Sequence, residues 1–297
     1  MAIFQKAYQG YSGPLSNNLD RTLVIYRYAM ADVLRSRAFV GFLFVCLLFP
    51  LLLICALYIY HNLELLMQMD IVLGELSEID GSLVAIMMQM PQNFLLFFLV
   101  LAIGPTMISP DLRNNAMPLI LSRSITKANY IGGKMLVLIV LGSLISWVPG
   151  LLLFFVQSFL AGDGWMLANW HIPFASIITS LTWIISLTLL AFAISAFVKW
   201  KAVARMFFFG VIVVTSILAQ VIREIFGGVG GYLIDLNSAL QLVMISTYNA
   251  DSALIAFSSD VPVPDLPVQV ALLQFLVFSV ACLILLTRRI RAFQVVS

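Results

Sequence analysis

Residues 109–134, SPDLRNNAMPLILSRSITKANYIGGK, set four basic residues, one acid, two adjacent asparagines and two prolines between two strongly apolar stretches. Within them, Gly132-Gly133-Lys134-Met135 is the nearest approach to a phosphate-cradling loop. Such a loop needs an earlier glycine, separated from the Gly-Lys pair by four residues, and a Ser or Thr after the lysine, to wrap phosphates and hold Mg²⁺. Neither is present, so the chain is not expected to hydrolyse ATP. The two histidines, His61 and His171, stand at the ends of apolar runs, outside any HExxH pattern and badly placed for a Ser-His-Asp arrangement. Cys46, Cys55 and Cys282 lie inside apolar runs without ligand spacing and read as packing residues. What remains is docking chemistry. Asp111, Arg113, Arg123 and Lys127 offer charges, and Leu119 and Leu121 offer apolar anchors, for a soluble partner. An ordinary positively charged loop has the same composition.

The elements that must position this segment are membrane helices. Of the 297 residues, 62 % are hydrophobic and 10 % charged, with mean hydropathy +1.05. A soluble domain carries about a quarter charged residues. Residues 38–60 contain no charge in 23 positions, and a bilayer core takes roughly 20 apolar residues as helix. Apolar runs predict six spans near 38–60, 92–109, 135–159, 173–197, 204–226 and 269–287, an all-α integral membrane protein forming a single transmembrane domain over 1–297.

Charge sorting supports the count. Fifteen of the sixteen Lys and Arg residues fall on one side of a six-span chain, Arg223 being the exception, while Glu64, Asp70, Glu75, Glu78, Asp80, Asp163, Glu224, Asp235, Asp251, Asp260 and Asp265 collect on the other. The positive side faces the cytoplasm in such proteins. Both termini, the 109–134 segment and the link at 199–205 are therefore expected there.

Outside the spans, residues 20–37 read as an interfacial helix. Leu23, Tyr26, Met30 and Leu34 form its apolar stripe, and Arg27 and Arg35, with Tyr26, suit anionic headgroups of membrane lipids. The start of a long first span is the plainer alternative. Ser109-Pro110-Asp111 has the order of a helix start, with a cap, a proline at the first position and an acid in the first turn. The external region 227–268 contains an apolar stretch at 232–246, enough for a short re-entrant or surface-lying helix but weak as a span. Phe97, Ser143, Ser146, Gln157 and Gln220 are candidates for lining a pathway, and a wall of Phe, Met and Leu with a few hydroxyls would suit a lipid-like or amphipathic cargo. Ordinary helix packing uses the same residue types.

The order of these features resembles the permease of a type-2 ABC exporter. That family carries an amphipathic N-terminal helix, a cytoplasmic segment between spans two and three, and a larger external region before span six. Its segment runs from an acidic residue through an arginine to "LLSRPISR" and a glycine-lysine pair. Here Asp111, Arg113, LILSRSITK at 119–127 and Gly133-Lys134 stand at those places. Asp111 replaces the frequent glutamate, Ser124 the usual proline, and Asn115-Ala116 the frequent glycine-threonine; Pro118 is unusual. The resemblance implies a coupling helix at 111–121 that docks on soluble ABC ATPase subunits, which bind Mg-ATP; no cofactor is expected in this chain. It also implies a second permease copy or homologous permease, a prokaryotic inner or plasma membrane, and no nucleic-acid partner. An ion-coupled secondary transporter and a non-transport membrane scaffold are the competing classes. Paired intramembrane carboxylates, which a proton relay would use, are absent from the predicted spans.

Overall fold

The computed structural model describes residues 17–62, 81–121, 125–162, 164–226, 230–250 and 267–290. These form α1 (Asn18–Leu34), α2 (Arg37–His61), α3 (Gly81–Met90), a π-helical turn (Pro91–Leu95), α4 (Leu96–Arg113), α5 (Met117–Leu121), α6 (Lys127–Ile145), α7 (Trp147–Ala161), α8 (Trp165–Ala168), α9 (His171–Phe197), α10 (Lys201–Phe226), α11 (Leu236–Tyr248) and α12 (Val268–Arg289). Six units are long and apolar enough to cross a bilayer: α2, α3 to α4, α6 to α7, α9, α10 and α12. The chain is thus a multi-pass, all-α membrane protein, as the apolar runs predict.

Span four, α9, is the centre. Seventeen of its 27 residues are buried, among them Ser176, Thr179, Ser180, Ser186, Ala191 and Ser195. Small and hydroxylated residues let helices approach closely where lipid supplies no hydrophobic drive. Gly104 illustrates this: a Cβ there would stand 2.7 Å from the Ala191 Cβ. The outer helices bury narrow stripes, Phe39, Cys46, Pro50 and Leu57 on α2 and Ala271, Phe275, Cys282 and Leu286 on α12. Cys46 and Cys282 pack as expected, whereas Cys55 is exposed on the lipid-compatible surface. Exposed Leu, Phe and Val cover the rest of these helices, a surface that only a bilayer or further protein would cover.

Two boundaries differ from the sequence expectation. Span two begins at Gly81 rather than near 92; residues 63–80, between spans one and two, lie outside the described residues. Gln89, Pro91, Gln92 and Asn93 interrupt the apolar run, yet the first three are buried against neighbouring helices. The helix also continues through Ser109-Pro110-Asp111 to Arg113 instead of starting there. Pro105 and Pro110 each remove a backbone donor. Ser195 repairs the region from across the interface. Its Oγ donates to the Pro105 carbonyl at 2.8 Å and accepts from the N–H groups of Ser109 at 2.8 Å and Ile108 at 3.3 Å.

Helix α1 begins with a capping box, Asn17 with Asp20. It packs along α6 through Ile25, Tyr26, Ala29, Met30 and Val33. Tyr26 and Met30 thus belong to the packed stripe, while Leu23 and Leu34 are 51 % and 44 % exposed and point away from it. Arg27 and Arg35 are exposed. The crossing depends on Gly133, where a Cβ would meet Ile25 Cβ and the Thr22 carbonyl oxygen, both at 2.8 Å. Gly133→Ala is expected to push α1 off α6 and cost about 1–3 kcal/mol. Protease sensitivity of the 17–36 segment, measured in detergent beside wild type, reports the release; equal cleavage rates would contradict it.

Candidate functional site

The polar segment builds a compact corner at one end of the bundle. Helix α4 stops at Asn114, and Asn115 takes a left-handed conformation, φ 50°, which asparagine tolerates better than most residues. The chain turns there through bonds from Asn114 N–H to the Pro110 carbonyl and Ala116 N–H to the Asp111 carbonyl, both 2.9 Å. Helix α5 follows. Met117 is buried beneath it and Leu119 is 72 % exposed. The Leu121 backbone is helical, but its side chain and all of Arg123 lie outside the described residues. Thr126 then caps α6, accepting from the Asn129 N–H at 3.2 Å.

One acid ties the two sides of this turn together. Asp111 Oδ2 accepts from the Tyr130 hydroxyl at 2.6 Å and from Lys134 Nζ. Lys134 Nζ also donates to the Met107 carbonyl and sits 4.7 Å from the centre of the Tyr130 ring. The lysine is 9 % exposed. The Gly-Lys pair therefore has a structural job: Gly133 admits α1, and Lys134 clamps the end of span two to the start of span three. Arg113 lies over the Trp200 ring at 4.7 Å, joining the corner to the 199–205 link, and Lys127 is exposed beside the turn. Arg205 donates to the Ala102 carbonyl at 2.8 Å, and Arg289 lies 5.7 Å from the Phe197 ring. These contacts gather the ends of α4, α6, α9, α10 and α12 at one basic end of the bundle.

At the other end, Arg223 is the basic residue that breaks the charge pattern, and it is held by protein. It donates to Ser238 Oγ at 3.0 Å, lies 3.9 Å from Asp235 Oδ2 and 5.0 Å from the centre of the Tyr232 ring. Asp235 caps α11, which replaces the helix expected over 232–246 with a largely buried one at Leu236–Tyr248. His61 bonds Gln157 at 3.0 Å and His171 bonds the Tyr248 carbonyl at 3.2 Å. Among the described residues no cluster of three His, Cys, Asp or Glu side chains is close enough to hold a metal.

The expected pathway residues are scattered. Phe97 lines a cavity of about 650 Å³ between α3, α4, α9, α10 and α11 and stacks on Phe208 at 5.8 Å. Ser146 is buried at the break between α6 and α7 and donates to the Gly142 carbonyl at 2.8 Å. Ser143 is buried in α6, and Gln157 is occupied by His61 between α2 and α7. Gln220 is exposed on α10 and donates to Glu224 at 3.1 Å. Sequence reasoning missed the amide side chains Gln89, Asn93, Asn237 and Gln241, which line the cavity beside Phe97. Their signal was present, since amides inside an apolar span are costly unless used. No protein-family model matches the chain, and no curated protein matches it as a relative.

Proposed function

We propose that the chain is the transmembrane subunit of an ATP-driven ABC exporter, working with a second permease copy or homologous permease and with separate ATPase subunits that bind Mg-ATP. The observation that carries this is the short helix α5 between spans two and three. It stands at the basic end of the bundle, presents Leu119, and lies in the chain between the two helices that the Asp111–Lys134–Tyr130 clamp joins. A docking helix must be stiffly joined to the spans if force on it is to move them, and a buried, hydrogen-bonded ion pair supplies such a joint. Leu119 anchors the contact, while Arg113 and Lys127, with Arg123 and Leu121, set its register at the rim. By the positive-inside rule this end is cytoplasmic, with both termini, and the resemblance to type-2 exporter permeases implies a prokaryotic inner or plasma membrane. Helix α1 lies along the same interface, with Arg27 and Arg35 toward lipid headgroups and Tyr26 packed inward.

Purification from native membranes in mild detergent tests the assignment. An ATPase is expected to co-purify, and Leu119→Asp is expected to reduce its recovery about 30-fold, the effect of losing one interface hot spot, while the permease elutes as wild type. Absence of any co-purifying ATPase overturns the exporter assignment. Full recovery with Leu119→Asp moves docking away from α5.

A further inference from the structure

The cavity beside Phe97 has features that ordinary helix packing does not require. Its aromatic wall is Phe94, Phe97, Phe98, Trp183 and Phe209, and its polar groups are amides and one hydroxyl, Ser216. Among the described residues no charged side chain lines it. Two amide atoms are buried there without a partner, the Asn93 carbonyl oxygen Oδ1 and the Gln241 nitrogen Nε2, and Gln241 is only 1 % exposed. Buried polar atoms almost always find a partner, and each orphan costs its full desolvation. The cost is sharper at membrane depth, where water is scarce.

Asn93 sits within the π-helical turn. Pro91 supplies no N–H, its carbonyl is taken by Leu96 five residues on, and α9 fixes the turn. Trp183 Nε1 donates to the Gln92 carbonyl at 2.8 Å, and Gln92 Nε2 donates to Ser180 Oγ at 3.0 Å. Single π turns in α-helices recur at functional sites, and this one carries a cavity-lining residue, Asn93, whose Oδ1 has no partner. Phe94 and Phe98 are 60 % and 43 % exposed, so the aromatic side opens to the surface of the bundle that faces lipid.

We propose that this cavity binds an uncharged amphipathic molecule whose polar group is a hydroxyl or an amide. The two orphans set the chemistry. Asn93 Oδ1 requires a donor and Gln241 Nε2 requires an acceptor, and a hydroxyl or an amide can serve either. A carboxylate only accepts and an ammonium only donates. Either would bring an unbalanced charge into a site whose described lining has none, at a heavy desolvation cost. The apolar part lies against the phenylalanines, and the volume falls in the range of about 300–1,000 Å³ typical of small-molecule sites. Calling this molecule the transported substrate rests on the exporter assignment; the binding does not.

The test uses the full chain in phosphatidylcholine nanodiscs and three photoreactive decyl probes, bearing a carboxamide, a carboxylate or a primary amine. The carboxamide is expected to label peptides from 86–98 and 209–216 saturably, with unlabelled decanol competing. The two charged probes are expected to label them about tenfold less at equal membrane concentration, a difference of about 1.4 kcal/mol. Asn93→Leu and Gln241→Leu are each expected to cut carboxamide labelling to a similar degree, while Thr287→Val, on α12 outside the cavity, leaves it unchanged. Non-saturable labelling overturns the proposal, as does equal labelling by all three head groups in the wild-type chain, a comparison that needs no variant. Cross-links from these peptides to a second copy, with no probe competition, also overturn it, because protein then covers the opening. Saturable labelling in a chain with no ATPase partner keeps the site and removes the exporter assignment. ATPase association without labelling does the reverse.

Discussion

Lys134→Met is expected to destabilise the folded chain by about 3 kcal/mol, and Asp111→Leu by somewhat more, whereas the double replacement recovers most of the loss. A buried ion pair is costly to assemble, but removing one member is worse, because the other charge stays behind uncompensated. The two ends are unequal. The Lys134 side chain is 11 % exposed and the Asp111 side chain 27 %. Water can partly solvate the orphaned carboxylate, and Tyr130 still donates to it. The orphaned ammonium keeps the Met107 carbonyl, the face of the Tyr130 ring and the more distant, exposed carboxylate of Asp32. Hence loss of the acid is the larger effect. Unfolding in dodecyl maltoside on titration with dodecyl sulfate gives the four corners of a double-mutant cycle. Additive losses would show that the pair is not coupled in the folded protein, and the clamp would then be discarded as a joint between spans two and three. If the double variant is stable yet no longer retains an ATPase, stability and coupling separate, as they should when the ion pair transmits motion rather than holding the fold.

Much of this architecture was readable from local pattern. Six apolar runs mark the six spans, and the patterns over 20–37 and 232–246 lie close to α1 and α11, whose caps at Asn17 and Asp235 the structure adds. The unread parts share a cause: each depends on a residue far along the chain. Nothing near Pro105 or Pro110 says that the helix survives them, because Ser195, on α9, makes the repair. The cost of amides in an apolar run says that Gln89 to Asn93 are used but not by what, because Ser180 and Trp183, far along the chain, hold the turn. The α1 stripe was half legible. Tyr26 and Met30 recur at helical spacing, but Leu23 and Leu34 are equally apolar, and the choice between two faces is made by the groove at Gly133. The same holds for the corner. Asp111, Tyr130 and Lys134 are visible as separate residues, and their convergence follows only from the turn at Asn115 bringing α4 and α6 side by side.

Asp235→Ala is the other substitution expected to have a large effect, about 3 kcal/mol, and it reaches the cavity from outside. Asp235 is 4 % exposed. Its Oδ1 accepts from Ser216 Oγ at 3.0 Å and the Asn237 N–H at 3.1 Å; its Oδ2 accepts from Ser238 Oγ at 2.6 Å and the Ser238 N–H at 3.3 Å. Alanine removes the cap of α11, worth about 1 kcal/mol by itself. It also leaves Arg223, whose side chain is 12 % exposed, beside the Tyr232 ring and Ser238 with no counter-charge. Asp235→Asn keeps much of the capping geometry and loses the charge, so it should cost less. Arg223→Met should fall between them, since the abandoned carboxylate retains four hydrogen bonds. Unfolding free energies of the three variants in one detergent give this order, and Asp235→Asn as costly as Asp235→Ala would show that the ion pair, not the cap, holds α11. The functional consequence follows from the same helix carrying Asn237 and Gln241 into the cavity wall. At temperatures where Asp235→Ala remains folded, carboxamide labelling of the cavity should fall below wild type, because fraying of the first turn displaces Asn237 and loosens Gln241 one turn further on.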